Sequence, residues 1–403
     1  MRRVGRRGLA AAVAGVLLGA LAAAVPAHAA TGAYACPKGY FCGWTGDDAT
    51  GSMMKTNKSM PTMGSWDNRI LAVSNRTTSI VCRYVDANYV VADGYGYERP
   101  DDPGAWSSNP APATTSSLKF VKTTRECAEP PYGPWLSEKS PVKAGFGDID
   151  RDGYADVLSR DLAGRLWFVP GSTGAGRLIG GGWNSMTAMT RHGDLTGDGI
   201  EDLLARDSAG DLWIYPATGR GGYLSRRFVG GGWNAMARVT AGGDLTGDGR
   251  NDLLAADRSG KLWLYPGTGH SHFGARRLVG GGWQVMSALS GPGDLTGDKH
   301  PDLLARDTSG KLWLYPGTGR GTFGARTLIG TGWNAMESFF AVGDTDGDGR
   351  NDLNTVTNDR YKIGGYAGNL GWQLLYRGTG SGKAALRSPV QQSGEWWELN
   401  GTF

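Results

Sequence analysis

Beyond residue 141 the chain alternates short apolar runs with polar punctuation. Runs such as Leu203-Leu204-Ala205, Leu262-Trp263-Leu264-Tyr265 and Leu278-Val279 are separated by clusters of Gly, Asp, Thr and Pro. No long stretch keeps the 3.6-residue period of an amphipathic helix. The pattern therefore predicts an all-β chain of short strands joined by tight turns.

The pattern also recurs. Acidic strings begin at Asp148, Asp194, Asp244, Asp294 and Asp344, a first step of 46 residues followed by three of 50. Each is preceded by an apolar segment and followed by an LLARD-type run, an LWLYPGTG-type run and an RRLVGGGW-type run, which makes four short strands per repeat. A fixed period of this size marks a propeller or a solenoid. Four-stranded units separated by Gly-rich turns are the blades of a β-propeller. The fifth repeat is degenerate but complete, with Asp352-Leu353, Gln373 to Gly380 and Arg387 to Val390. Five blades are expected over residues 141–403. A solenoid is the alternative, but the chain has no distinct capping repeats.

Within each acidic string, oxygen-bearing side chains fall at positions 1, 3, 5 and 9. The sets are Asp148, Asp150, Asp152 and Asp156; Asp194, Thr196, Asp198 and Asp202; Asp244, Thr246, Asp248 and Asp252; Asp294, Thr296, Asp298 and Asp302; and Asp344, Asp346, Asp348 and Asp352. Glycine at position 6 allows a sharp turn, and the spacing matches the first part of an EF-hand loop. Hard oxygen donors with little His or Cys nearby select Ca²⁺ over zinc or copper. Asp and Gly also make plain turns, but five copies in register weigh against that reading. The first and fifth strings carry Asp at position 3 and are expected to bind best. The fourth has Lys299 in place of Gly, then His300-Pro301, and is expected to be weakest or empty.

The tandem D-x-[DT]-x-D-G-x-x-D-L strings at blade-sized spacing resemble the FG-GAP/VCBS repeats of integrin-type propellers. The resemblance covers about 260 residues and implies Ca²⁺ ligation by these side chains, in the loop joining the first two strands of each blade. The integrin form has seven blades, whereas this chain supplies five; five-bladed lectin propellers are a known architecture.

Two sets of tryptophans follow the repeat. Trp167, Trp213, Trp263 and Trp313 lie between apolar neighbours and are expected to pack between blades. Trp183, Trp233, Trp283 and Trp333 lie in Gly-rich turns, three of them followed by Asn184, Asn234 and Asn334. Rings presented there would suit a sugar face, so these four are candidate ligand-binding residues, with packing at the blade edge as the competing reading. Several weak, identical sites would add through multivalency on a polymer.

Residues 30–128 have a different texture. They hold all four cysteines, Cys36, Cys42, Cys82 and Cys127, and alternating runs such as Ser79-Ile-Val-Cys-Arg-Tyr-Val85. Three disulfide pairings are possible; the short loop favours Cys36–Cys42 together with Cys82–Cys127. Ala35-Cys36-Pro-Lys-Gly-Tyr-Phe-Cys42-Gly-Trp44, with Trp66-Asp67-Asn68-Arg69, resembles peptidase inhibitor family I36, small disulfide-bonded βγ-crystallin-like domains. The family implies protease-inhibitor ancestry. Its inhibitory form pins a reactive loop with a second, closely spaced cysteine pair, and here Cys82 and Cys127 lie far apart. Glu129-Pro-Pro-Tyr-Gly-Pro134 reads as part of a Pro-rich linker over 129–140.

Charge changes the picture little. Lys+Arg number 42 and Asp+Glu 38. The excess of four equals Arg2, Arg3, Arg6 and Arg7, which begin a segment with an apolar core and an Ala27-His28-Ala29 cleavage site. That segment reads as a secretory signal peptide over 1–29. The remainder is formally neutral, without a basic stripe for nucleic acid or a second long apolar run for membrane insertion. Catalytic signatures are lacking: there is no H-E-x-x-H, and no G-x-S-x-G. Gly378-Thr-Gly-Ser-Gly-Lys383 mimics a phosphate loop but has Arg377 and Ala384 where that motif needs Gly and Ser/Thr. Paired carboxylates for glycoside hydrolysis are present many times over, whereas an active site is usually built once. The sequence thus predicts a secreted, non-catalytic, calcium-binding protein. Its expected partner is a glycan or cell-envelope polymer. The alternatives are a protein partner, including a role as targeting subunit of a secreted assembly, and protease inhibition through the I36-like domain.

Overall fold

The computed structural model describes residues 35–101, 107–108, 114–141, 146–362, 368, 370–382 and 384–403; the expected leader lies outside them. The chain divides into two compact units, one ending at Phe120 and the other running from Val121 to Phe403. Among the described residues no helix is long and apolar enough to cross a membrane.

The first unit is built from two sheets. One orders Met53–Thr56, Phe41–Trp44, Ala72–Asn75 and Ser107–Ser108; the other orders Tyr95–Glu98, Ile80–Tyr84 and Ser117–Val121. Alternating side chains from both bury together, with Phe41, Ile70, Val73, Val81 and Leu118 fully enclosed. Cys36 and Cys42 form a disulfide, Cys82 and Cys127 are disulfide-bonded as well, and no cysteine is free.

The second unit contains five four-stranded antiparallel sheets, the blades of a propeller. Blade 2 comprises Met186–Gly193, Asp202–Asp207, Leu212–Tyr215 and Arg227–Gly230. Blade 3 (Met236–Gly243, Asp252–Asp257, Leu262–Tyr265, Arg277–Gly280) and blade 4 (Met286–Gly293, Asp302–Asp307, Leu312–Tyr315, Thr327–Gly330) repeat it strand for strand. Blade 5 uses Met336–Phe340, Leu353–Thr357, Gln373–Tyr376 and Val390–Ser393. First strands of consecutive blades lie side by side. They surround a central cavity of about 120 Å³ lined by Thr190, Thr240, Ser290 and Phe340 among others.

Blade 1 differs in origin. Val157–Asp161, Leu166–Val169 and Arg177–Gly180 come from the start of the unit, but the strand beside Val157–Asp161 is Leu399–Thr402, from the end of the chain. Leu158 and Phe403 exchange backbone hydrogen bonds at 3.0 and 2.9 Å. The ring is therefore closed by pairing the last strand with the first blade, and no sheet edge is left at the seam.

Cores lie between blades rather than within them. Leu158, Leu166 and Phe168 of blade 1 pack with Leu203, Ala205 and Ala217 of blade 2, and the equivalent set recurs at the next junctions. A strand residue and its neighbour thus serve opposite junctions, which explains why the second strands read as continuous apolar runs.

The expected 129–140 linker is corrected. Trp135 is 3% exposed, packs edge-on against Phe340 and Trp396, and donates from Nε1 to the Ala155 carbonyl at 2.6 Å. Ser137 N and Glu138 N donate to the carbonyls of Gly171 and Thr345. Upstream, Arg125 is 1% exposed and donates to the carbonyls of Pro130, Tyr132 and Trp397. Proline fixes the backbone, but the aromatic rings it spaces have apolar surface to bury, so the segment is part of the second unit.

Removing residues 399–403 should cost at least about 3 kcal/mol, from several backbone hydrogen bonds and the Phe403 contact. For a unit of this size that is a fall in Tm of roughly 6–12 °C. Thermal denaturation followed by circular dichroism checks it; an unchanged Tm would show that the ring does not depend on this pairing.

Candidate functional site

Each acidic string forms a tight loop, in blades 2–5 between the first and second strands. The carboxylate at position 1 folds the loop over itself. Asp244 accepts from the N–H groups of Gly247, Asp248 and Gly249 at 2.7–3.0 Å. Asp248 at position 5 accepts from Arg250 N. Gly247 needs a left-handed backbone, φ +74°, and a Cβ there would come within 2.6 Å of the Gly319 carbonyl of the next blade. Lys299 holds the same loop shape at φ +73° and still donates to Asp294 at 2.7 Å.

Position 9 has a separate task. Asp252 is fully buried; its Oδ2 accepts from Thr246 N and its Oδ1 from Gly267 N, both at 2.9 Å. Asp202 accepts from Leu195, Thr196 and Ala217, and Asp302 from Leu295, Thr296 and Gly317. Asp156 and Asp352 make the equivalent bonds to Gly171 and Gly378. The ninth-position carboxylate therefore latches its loop to the turn after the third strand. Gly378, in the string that mimics a phosphate loop, is such a latch partner. Burial pushes these carboxyls up, Asp156 to about 7 and the other four to about 6, against the pull of the N–H groups.

The five loops differ in how they gather charge. In the first, carboxylate oxygens of Asp148, Asp150 and Asp156 lie within 4.8 Å of one another; in the fifth, those of Asp344, Asp346 and Asp348 do. Burial, then repulsion from Asp152, raises Asp148 and Asp150. The fifth loop has an internal counter-charge, since Arg377 Nε lies 2.8 Å from Asp346, and Ser140 donates to Asp344. In the second and fourth loops the position-3 hydroxyls of Thr196 and Thr296 approach Asp194 and Asp294 at 3.4 and 3.3 Å. The donor set of the first loop, carboxylates with no cation in ion-pair contact among the described residues, fits a hard dication.

The Gly-rich-turn tryptophans take the packing role that competed with ligand contact, and Trp167 and Trp263 also pack against cores at blade junctions. Trp183, Trp233, Trp283 and Trp333 are only 7–8% exposed. Each begins a one-turn 3₁₀ segment, and each ring packs 4.7–4.8 Å from a tyrosine of the incoming blade: Tyr215, Tyr265, Tyr315 and Tyr376. They are not presented to solvent, because the preceding glycine at φ +80 to +87° turns the chain back into the blade junction. Asn184, Asn234 and Asn334 likewise tie this turn to the carbonyls of Leu162, Ser208 and Thr308. By contrast Trp167, Trp213, Trp263 and Trp313 are half-buried on the third strands. Their Nε1 atoms donate to Asp161, Asp207, Asp257 and Asp307 at 2.8–3.0 Å. The indole N–H, joined by the Ser259 hydroxyl, holds Asp257 below the ordinary carboxylate range.

Sequence reading missed the residues that do reach solvent. A cleft of about 360 Å³ opens between blades 1 and 2, lined by Gly181, Trp183, Tyr215, Tyr223, Leu224 and Arg226. At the next two junctions Tyr265 with Phe273 and Tyr315 with Phe323 recur, and Arg276 and Arg326 donate to the tyrosine hydroxyls. The available signal was an arginine before the outermost strands of blades 2, 3 and 4, at a 50-residue period. His270 and His272 are exposed in a turn.

Comparison with known proteins agrees with this architecture. Residues 29–96 match the family model of peptidase inhibitor family I36, and residues 194–255, 244–305 and 294–353 match that of the FG-GAP-like repeat. The chain thus joins an I36 inhibitor domain to FG-GAP-like repeats. No curated protein matches it. Among solved structures it is similar to an Agrocybe aegerita lectin that recognises non-reducing terminal N-acetylglucosamine (18% identity, 91% of this chain and 94% of that one, TM-score 0.39). It is also similar to the BP39L lectin of Burkholderia pseudomallei (15% identity, 65% and 86%, TM-score 0.37). A third likeness is to the holo form of the pyranose dehydrogenase PQQ domain of Coprinopsis cinerea (12% identity, 46% and 49%, TM-score 0.30).

Asp252→Ala leaves two buried N–H groups without an acceptor and should destabilise the second unit by about 3 kcal/mol. Urea denaturation should give the same loss in excess chelator as in calcium. A loss seen only in calcium would make Asp252 a metal ligand instead of a latch.

Proposed function

We propose that the second unit is a non-catalytic binding module, carried on an exported and calcium-stabilised protein, whose ligand is a glycan or cell-envelope polymer. The observation that carries this reading is a partly exposed tyrosine, Tyr215, Tyr265 or Tyr315, packed on a buried tryptophan at three consecutive blade junctions, each with an arginine beside it and the first opening into a cleft. Aromatic faces suit the C–H faces of sugars, and Tyr and Arg supply the few polar contacts that orient a ligand. The FG-GAP-like repeats support a binding role. The recurrence of the same side chains from blade to blade supports it too, since identical weak sites gain from multivalency. Disulfide bonding of all four cysteines fits an oxidising, extracellular setting.

Calcium would be held by Asp148, Asp150 and Asp156 in the first loop and by Asp344, Asp346 and Asp348 in the fifth. The ion would supply charge neutralisation for carboxylates drawn together at a blade end. Its role is structural: at Kd ~10⁻⁴ M and ~1 mM calcium, each site contributes about 1.4 kcal/mol. A second reading, protease inhibition, is favoured by the I36 match over residues 29–96. Dose-dependent loss of protease activity on adding the intact protein would support it.

Two measurements test the main reading. Calcium at ~1 mM should stabilise the protein by about 3 kcal/mol over chelator, and Asp150→Asn should remove about half of that gain; an equal Tm in calcium and chelator rejects calcium binding. The protein should also be retained on insoluble polysaccharides or cell walls, and Tyr265→Ala with Tyr315→Ala should weaken retention about tenfold. No retention of the folded protein on any such surface rejects the polymer ligand.

A further inference from the structure

Blades 2, 3 and 4 carry the same stack on the outer half of the sheet. The Arg226 guanidinium lies 3.9 Å from the centre of the Trp213 ring, and Arg276 over Trp263 and Arg326 over Trp313 lie at 4.1 Å. Cross-strand from each indole stands an exposed apolar residue: Phe228, Leu278 or Leu328. Blades 2 and 3 add a further exposed arginine, Arg227 and Arg277. Among the described residues, no carboxylate lies within ion-pair distance of these five arginines. Their hydrogen-bond partners are neutral, the hydroxyls of Tyr265, Tyr315 and Ser271, while Asp207, Asp257 and Asp307 accept from the Nε1 atoms of the stacked indoles.

Propeller packing does not require the stack. In blade 1 the place of the arginine is taken by Gly176, and Tyr132 lies over Trp167 with ring centres 5.4 Å apart; a Cβ at Gly176 would collide with that tyrosine ring. Blade 5 has Leu374 in place of the tryptophan and, by register, Pro389 in place of the arginine. The face that the chain covers with its own aromatic residue in blade 1 is left to an exposed cation in three consecutive blades. A guanidinium seated on an indole keeps its N–H edge for a planar or tetrahedral oxyanion.

We propose that the Arg226–Trp213, Arg276–Trp263 and Arg326–Trp313 stacks form a row of sites for an anionic sugar or polyol polymer. Guanidinium edges take its carboxylates or phosphodiesters, and Phe228, Leu278 and Leu328 take its apolar faces. The inference rests on the polymer-binding reading and narrows it to one charge class.

The test uses the full chain without its first 29 residues and four immobilised probes: polygalacturonate, poly(glycerol phosphate), a neutral insoluble glucan and duplex DNA. Retention on one or both polyanionic chains should fall at least tenfold between about 50 and about 500 mM NaCl. Which of the two binds more tightly separates a carboxylate source from a phosphodiester source. R226Q/R276Q/R326Q should lower polyanion binding at low salt by about tenfold or more, with Tm unchanged. The triple Arg→Lys variant, which keeps charge but not the planar fork, should fall between. Equal polyanion binding by the folded glutamine or lysine variant overturns the proposal. So does tighter binding to DNA, or polyanion binding that disappears in chelator while the fold persists, which would place the polymer on calcium at the acidic loops. Retention on glucan without retention on either polyanion removes this inference alone; retention on none of the sugar or polyol polymers removes the polymer-binding reading as well.

Discussion

The second unit depends on a buried carboxylate that accepts backbone N–H groups from two directions. In every blade the ninth-position aspartate reaches back to its own loop and across to the turn after the third strand, as Asp302 does to Leu295, Thr296 and Gly317. A buried anion without these donors would be prohibitive, and buried N–H groups without the anion nearly so. Loop and strands therefore form as one piece. The loop's remaining carboxylates are crowded as a consequence, and only where position 3 is also Asp does the crowding bring three carboxylates together.

The same economy governs the aromatic residues. The Gly-rich turn before each blade looks built for display, yet its left-handed glycine directs Trp183, Trp233, Trp283 and Trp333 into the junction, against a tyrosine of the incoming blade. Arg160, Arg206 and Arg306 lock this turn by donating to the carbonyls of the tryptophan and the following methionine. Blade 3 has Ala256 at that position, so the turn at Trp283 is without this arginine lock. With those rings buried, the tyrosines and the rim arginines are what remain to meet a ligand.

Closure and decoration come from the two ends of the unit. The final strand completes blade 1, and the segment from Arg125 to Ser140 lies along blades 1 and 5, burying Trp135 and covering Trp167 with Tyr132. The ring is therefore five-fold in architecture but not in surface: blades 2 to 4 are left open at their outer edges, and blade 1 is sealed by its own chain.

Sequence alone determined the β class, the blade count and the acidic loops. Each follows from local chemistry repeated at a fixed period: Asp and Gly at set spacings shape a loop whatever surrounds it. Tertiary structure decided what lies between repeats. The partner of the Val157–Asp161 strand is more than two hundred residues away, in a tail with no acidic string to identify it. Burial of a tryptophan depends on the turn that aims it and the blade that receives it, and neither is visible in the GGGW string. The Pro-rich segment has a linker's composition, yet Tyr132 and Trp135 bury because the finished propeller offers them a face. Exposed arginines became legible only once the tryptophans beneath them had positions, since a guanidinium on a ring and one in water share the same letters.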